Sequence, residues 1–434
     1  MALYLGIDFG TSGARCAVID SEQKIIATSR YEFDMATTDN LPWVWQTSLF
    51  TLFDQIPLSL LKQVEAIAIN GTSSTVMLCN EVGQPVGTPL LYNDARGAIM
   101  LDNPDNNLRL VAPENHTVLS ATSSLVKLLW MLQLPTASEA RYFLHQADWL
   151  AFLLHGRIGI SDYHNALKLG YDVENLKYPE WLNKLNLAVE LPQVLTPGSI
   201  MAPVKSEILV RYGFPSSCVV CAGTTDSIAA FIASGALLPG EGVTSLGSTL
   251  AIKLLSRTKI DNSQYGIYSH RFPNFNQSTQ SPLWLVGGAS NTGGAVLRQF
   301  FSSAELEALS SKINFSQNSN LDYYPLIKKG ERFPINDANL QPRLEPRPDD
   351  DVEFLHGLLE SIARIEARGY ELLQEFGADK LNRVYTAGGG AANEAWTQIR
   401  RRHLNVAVQA SAYTEAAYGT ALLALLGKST LGSL

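Results

Sequence analysis

Two carboxylates and four small-residue turns carry most of the chemical content of this chain. Asp8 closes an apolar run, Leu3 to Ile7, and is followed at once by Gly10-Thr11-Ser12-Gly13 and a second apolar run, Cys16 to Ile19. This order predicts a hairpin whose turn presents backbone N–H groups and hydroxyls beside an acid. Such turns bind phosphate, because glycine admits close approach and the amides point at the anion. One acid beside them suits a hydrated Mg²⁺, which keeps several waters and needs few carboxylates. A plain tight hairpin uses the same residue types. Asp226 ends another apolar run, Cys218–Ala222, after Gly223-Thr224-Thr225, and opens a predicted helix. There it can cap the helix, or serve as a general base for a hydroxyl nucleophile, with positioning and charge neutralisation doing the rest of a phosphoryl transfer.

The remaining turns, 71–75, 245–249 and 388–391, also follow apolar runs. The sharpest is Gly388-Gly389-Gly390-Ala391-Ala392-Asn393. Consecutive glycines ahead of a helix leave an open surface for a flat or anionic ligand; Asn393 is equally a helix N-cap. The phosphate-loop pattern G-x-x-x-x-G-K-[ST] is absent.

The elements that must hold these residues alternate. Strands are predicted at Leu3–Asp8, Cys16–Asp20, Lys24–Ala27, Ala66–Asn70 and Val76–Asn80, with helices at Leu125–Gln133 and His145–Leu154. After a turn at Pro239-Gly240-Glu241-Gly242, the segment Gly242–Lys253 echoes the opening, apolar run, small turn, apolar run, without the acid. A strand into a glycine turn at Trp284–Asn291, a long amphipathic helix at Phe354–Gly377, a strand at Arg383–Ala387 and a helix at Glu394–Leu404 follow. The echo predicts two domains of one type, 1–238 and 239–434, divided near Pro239, the last helix being able to pack back on the first.

At 434 residues, two or three domains are expected. A net charge of −8 and the lack of a long basic run argue against nucleic acid as the main partner. No apolar stretch approaches a membrane span, and no signal peptide is read at the start, so a cytoplasmic protein is expected. Cys218 and Cys221 have C-x-x-C spacing inside an apolar run and are expected to be inert core thiols. Asp94 and Arg96 read equally as a local salt bridge or a sugar contact.

In order, these segments resemble the FGGY family of carbohydrate kinases. Gly6-Ile-Asp-Phe-Gly-Thr11 resembles its first phosphate motif, and Thr244-Ser-Leu-Gly-Ser248 the second. Asn70-Gly-Thr-Ser-Ser74 with Leu91–Arg96 resembles the sugar-side block, Ala222-Gly-Thr-Thr-Asp226 the catalytic-acid motif, and Ala387-Gly-Gly-Gly-Ala391 the adenosine motif. The stretches Ser161–Lys168 and Cys221–Ser227 resemble most closely the compact cyanobacterial and plant D-ribulose kinases. The resemblance implies an α/β protein of two actin-like, ribonuclease-H-like ATPase domains around a central cleft. It implies ATP and Mg²⁺ as cofactors and a small ketose as substrate, D-ribulose first and D-xylulose second. An actin-like ATPase without sugar transfer is the alternative of another class. Asp226 would be the base and Asp8 the Mg²⁺ holder, both acting on the metal through water. Asp8, Thr11, Ser12, Gly13, Ser73 and Asp226 would meet substrate. Gly10, Ser12, Gly13, Ala14, Arg15, Ser245, Gly247, Ser248, Gly288, Ala387, Gly388, Gly389, Gly390, Ala391 and Asn393 would meet the nucleotide.

Overall fold

The computed structural model describes residues 1–34, 40–103, 108–273, 275 and 281–429. The chain divides into two compact units, Met1–Ala233 with the segment from Glu415 onward, and Ser234–Thr414. The sequence-based division near Pro239, with 239–434 as one domain, differs at both ends. The polar, glycine-marked turn at 239–242 is a visible break, and the final helix groups with the first unit, the packing back that the sequence reading allowed.

The first unit is built on a six-stranded sheet. Its strands are β1 (Leu3–Phe9), β2 (Gly13–Asp20), β3 (Ile25–Glu32), β4 (Val64–Gly71), β5 (Ile200–Pro203) and β6 (Val219–Thr225), in the order β5-β6-β4-β1-β2-β3. β1 pairs antiparallel with β2 and parallel with β4, and β4 pairs parallel with β6. Every residue of β1 is buried, as a central strand covered on both faces requires. β3, at the edge, alternates between exposed and half-buried residues. Helices α1 (Leu41–Asp54), α2 (Ser124–Met131), α3 (Gln146–His155) and α4 (Asp226–Ala233) belong to this unit.

The second unit has a sheet of β7 (Glu241–Leu246), β8 (Leu250–Ser256), β9 (His270–Phe272), β10 (Leu283–Ser290), β11 (Arg383–Ala387) and β12 (Ala407–Ala410), in the order β9-β10-β8-β7-β11-β12. β7 again pairs antiparallel with the next strand and parallel with β11, which pairs parallel with β12. The order β12-β11-β7-β8-β10 thus repeats β6-β4-β1-β2-β3 with the same directions. Its helices include α5 (Asp351–Glu375), capped by the Asp350 carboxylate accepting from Val352 N at 2.8 Å, and α6 (Glu394–Leu404). The echo read in the sequence is a repeat of sheet topology.

The final helix, α7 (Ala416–Ser429), lies against the first unit's sheet, and small residues make this possible. A Cβ on Gly6 would lie 2.1 Å from Ala421 N, and one on Gly419 would lie 1.9 Å from Ala229 O. Asn70 Nδ2 on β4 donates to Thr420 Oγ1 at 2.6 Å.

The strands run longer than the pattern predicts. β2 begins at Gly13, so Gly13, Ala14 and Arg15 are strand residues rather than turn residues. β3 continues to Glu32. Both segments gain length from sheet pairing, which adds alternating polar residues that a buried apolar run does not mark. Among the described residues, no helix is long and apolar enough to cross a membrane.

Candidate active site

In the first unit the parallel strands β1, β4 and β6 end side by side. Asp8 pairs in register with Asn70, and Thr224 and Thr225 pair with Asn70 and Gly71. Asp226, the first residue of α4, therefore leaves the same sheet edge as Asp8. Asp8 is buried, and its Oδ1 has no hydrogen-bond partner. Burial, followed by the negative charge of Asp226, pushes the Asp8 carboxyl up to about 7, against a smaller opposing pull from Arg15. Asp226 is half-buried and its Oδ1 accepts from Ser227 N at 2.6 Å. A buried oxygen without a partner, beside a second acid, is the donor set that a hydrated Mg²⁺ uses when nucleotide phosphates complete its shell. Among the described residues no group of three or more His, Cys, Asp or Glu side chains could hold a metal, so an all-protein cage is not what this edge offers.

The turn after β1 closes with Gly10 N donating to Gly13 O at 3.0 Å, leaving Thr11 and Ser12 exposed at its tip. A Cβ on Gly10 would meet only Gly13 O at 3.5 Å, ordinary contact. A Cβ on Gly13 would lie 2.5 Å from Tyr31 O, so this glycine serves the close approach of β3. Ala14 is buried, and Arg15 is an exposed residue paired with exposed Glu415 at 3.4 Å.

The turn after β4 is pinned internally. Thr72 Oγ1 lies 2.5 Å from Thr75 Oγ1, and Gln146 Oε1 at the start of α3 accepts from Thr72 N at 3.2 Å. Ser73 is half-buried, and Ser74 adopts a left-handed φ of 63°, rare for a residue with a Cβ. Behind β6, His164 Nδ1 lies 2.7 Å from Thr224 Oγ1, and the Asp162 carboxylate accepts from His164 N and Asn165 N at 2.8 and 3.1 Å. His164 is thus a buried support of the strand that carries Asp226. Asp94 and Arg96 form the local salt bridge, at 2.6 Å.

The equivalent edge of the second unit lacks an acid. β7 ends in Leu246 and turns through Gly247 and Ser248. Gly294 N and Ala295 N donate to Gly247 O and Ser248 O, and Arg298 Nη2 donates to Ser248 Oγ at 2.8 Å. Ser245 is half-buried on β7, in register with Ala387 on β11. The three glycines after β11 differ sharply. Gly388 has φ 86°, and a Cβ there would lie 2.7 Å from Leu246 O; one on Gly390 would lie 2.7 Å from Leu246 Cβ. Gly389 alone has nothing within 4 Å. Ala391 lies in the 3-10 turn that follows. Asn393 caps α6, accepting from Trp396 N at 3.0 Å while its Nδ2 donates to Ser310 Oγ, so its amide is committed at both ends. Gly288 faces the Phe333 ring, 2.4 Å from where a Cβ would stand, and this glycine serves core packing.

Several residues around these turns gave no sequence signal: Lys127, Gln146, Glu366 and Arg400. Each acts through a partner far along the chain, so spacing does not expose them. Glu331 is buried and accepts from Ser290 Oγ, Asn291 N and Tyr324 OH. All four cysteines are buried and free, and burial pushes Cys218 and Cys221 up to about 12, which leaves them inert.

Residues 3–233 match the FGGY family of carbohydrate kinases, N-terminal domain, and residues 242–427 match its C-terminal domain. A xylulose kinase of Staphylococcus xylosus is 21% identical over 450 residues, covering 99% of this chain and 91% of the relative. Among solved structures, a xyloylose kinase from Brucella ovis superposes with a TM-score of 0.80 at 21% identity, covering 99% of this chain and 91% of that one. Plasmodium falciparum glycerol kinase with ADP gives a TM-score of 0.80 at 18% identity, covering 99% and 90%. With both family domains matched in order across nearly the whole length, and with two ribonuclease-H-like units of repeated topology, the chain belongs to the FGGY family of carbohydrate kinases.

Proposed function

We propose that the protein transfers the γ-phosphoryl group of ATP to a hydroxyl of a small ketose, D-ribulose in the first place, with Asp226 as general base. The observation that carries this reading is the pairing of Asp8 and Asp226 at one sheet edge, with Asp8 Oδ1 buried and unpartnered. Two acids at one edge would serve Mg²⁺ binding in a nucleotide switch as well; the match of both halves to carbohydrate kinase domains favours transfer to a sugar. Asp226 is the more accessible of the two and suits proton removal from an acceptor hydroxyl. Asp8, with Asp226, would hold Mg²⁺ through water, and the ion would neutralise charge on the transferring phosphoryl group. Thr11 and Ser12 at the exposed turn tip face that group, and Ser73 contributes to the acceptor side.

On the nucleotide side, Gly247, Ser248 and the open backbone at Gly389 are the approach points, flanked by Ser245, Ala387 and Ala391. Gly388, Gly390, Gly288 and Asn393 shape that surface from behind. D-ribulose is favoured by the resemblance of Ser161–Lys168 and Cys221–Ser227 to the compact D-ribulose kinases. D-xylulose is the second reading, favoured by the name of the Staphylococcus xylosus relative.

A coupled ADP-release assay with ATP and Mg²⁺ tests this across D-ribulose, D-xylulose, hexuloses, gluconate and glycerol. Highest kcat/KM on D-ribulose is expected. Highest kcat/KM on D-xylulose replaces the first reading by the second, and preference for glycerol or gluconate overturns both.

A further inference from the structure

Lys127 has no part in the chemistry above, yet it is among the most completely buried large side chains of the molecule, 0% exposed on α2. Its ammonium donates to Ser74 O at 2.7 Å, Leu91 O at 2.6 Å and Tyr92 O at 3.2 Å. An ammonium has three donors, and here all three are used on backbone carbonyls. Taking a charged group out of water is costly. Burial accordingly draws Lys127 down to about 8, with Asp94 opposing and Lys168 adding to the effect.

The three carbonyls lie just beyond the open end of one antiparallel hairpin, where Val76 pairs with Leu90 in the ladder between Val76–Cys79 and Pro85–Leu90, so Lys127 clamps the two chain ends past the last ladder pair. Ser74 lies in the turn after β4, and β4 stands between β1 and β6, so this turn leaves the sheet at the edge that carries Asp8 and Asp226. Leu91 and Tyr92 begin the loop after the strand Pro85–Leu90. The Tyr92 ring is exposed, and Asp94 beyond it is locked by Arg96, which stacks over the Trp130 ring of α2 at 5.0 Å. Ser74 is held in its left-handed conformation with its hydroxyl buried and unpartnered, so its carbonyl bond to Lys127 is a side-chain anchor on a strained residue.

We infer that Lys127 is a positioning residue for the acceptor, tying the Ser73–Ser74 turn to the Tyr92 loop so that both present fixed groups beside Asp226. The inference rests on the kinase reading and extends it to a residue with no contact to the reacting atoms. A purely architectural lysine would lower stability without distinguishing one substrate from the other.

The test is steady-state kinetics of Lys127→Met and Lys127→Arg, run with whichever acceptor the wild type turns over best. An error in the choice of ketose therefore appears in the wild type, before either variant is judged. In Lys127→Met we expect acceptor KM to rise about tenfold or more, the loss of one positioning interaction. KM for ATP and the acceptor-independent release of ADP should stay within about twofold. Lys127→Arg keeps the charge but cannot centre one nitrogen on three carbonyls, and should show an intermediate rise in acceptor KM alone. If Lys127→Met does not fold, Lys127→Arg decides. Unchanged acceptor KM, or equal shifts in acceptor and ATP KM, overturns the inference.

Discussion

The two sheets share one topology and differ in where they keep their charge. In the first unit, charge stands at the edge: Asp8 is buried without a partner for Oδ1, beside Asp226. In the second, the corresponding strand end is the neutral Leu246-Gly247-Ser248, and charge is buried one step behind it. Arg400 Nε and Nη2 donate to Glu366 at 2.6 and 2.7 Å, Arg400 Nη1 donates to Thr386 Oγ1, and Thr244 Oγ1 donates to Glu366. Thr244 and Thr386 are register partners on β7 and β11, each one residue before Ser245 and Ala387. The ion pair thus braces the two strand ends without presenting charge to a ligand. One copy of the fold keeps a buried carboxylate oxygen without a partner, the arrangement expected of the cation-binding, proton-moving edge proposed above. The other offers backbone and hydroxyls, which suit the polyphosphate side proposed above.

The largest effect expected from breaking this contrast is on turnover. Asp226→Asn should lower kcat by ~10²–10⁴, the usual loss with a general base, while ATP binding by calorimetry and the folded spectrum persist. Near-wild-type turnover would place the base elsewhere.

The buried pair of the second unit should respond differently to one change than to two. Glu366→Leu alone strands the Arg400 guanidinium and should cost ~3–5 kcal/mol in denaturant unfolding. Adding Arg400→Met should restore much of that stability, yet leave KM for ATP raised if the brace sets the spacing of the strand ends. Full recovery of both quantities would reduce the pair to packing.

Asp8 makes the matching prediction for the first unit, with a defined pH dependence. Its carboxyl is raised from 3.8 to about 7, so the folded state holds a proton that the unfolded state has lost across that interval. Stability from this group is present at the acid end and falls as pH rises through 7. Asp8→Asn removes the charge. Without Mg²⁺ its stability gain over wild type should be largest above pH 7, ~4 kcal/mol at most, and vanish toward pH 4. Thermal melts across that range check this, and a difference independent of pH would break the account of Asp8 as an uncompensated acid.

The smallest effect expected is the most local. Gly389→Val puts a branched side chain where nothing lies within 4 Å, so the fold should tolerate it while KM for ATP rises about tenfold. Gly390→Val collides with Leu246 and Trp396 and should instead lower the melting temperature. Unchanged ATP affinity in a folded Gly389→Val protein would leave that turn without a role at the nucleotide.

The strand ends proposed to carry chemistry were legible because each combines a buried run with an abrupt change to small or acidic residues. Asp8, Thr224-Thr225-Asp226 and Gly388–Gly390 announce themselves over a few residues, and so does the repeat of the opening pattern at Gly242. The pattern was silent wherever a group acts across the chain. Lys127 reaches carbonyls 53 and 36 residues away, and Arg400 reaches Glu366 34 residues back. Nor does the pattern separate Gly13, Gly288, Gly388 and Gly390, where a Cβ would collide with neighbours, from Gly389, where nothing lies within 4 Å.

The order of residue types along the chain therefore determined the two-unit α/β architecture, the acids and the turns, because burial periodicity and turn chemistry are local properties. Only the tertiary structure decided which glycine is open, which acid keeps a buried oxygen without a partner, and that the final helix seats on the first sheet at Gly6 and on α4 at Gly419. Those outcomes depend on which atoms from distant segments come within contact distance, and only the folded packing sets that.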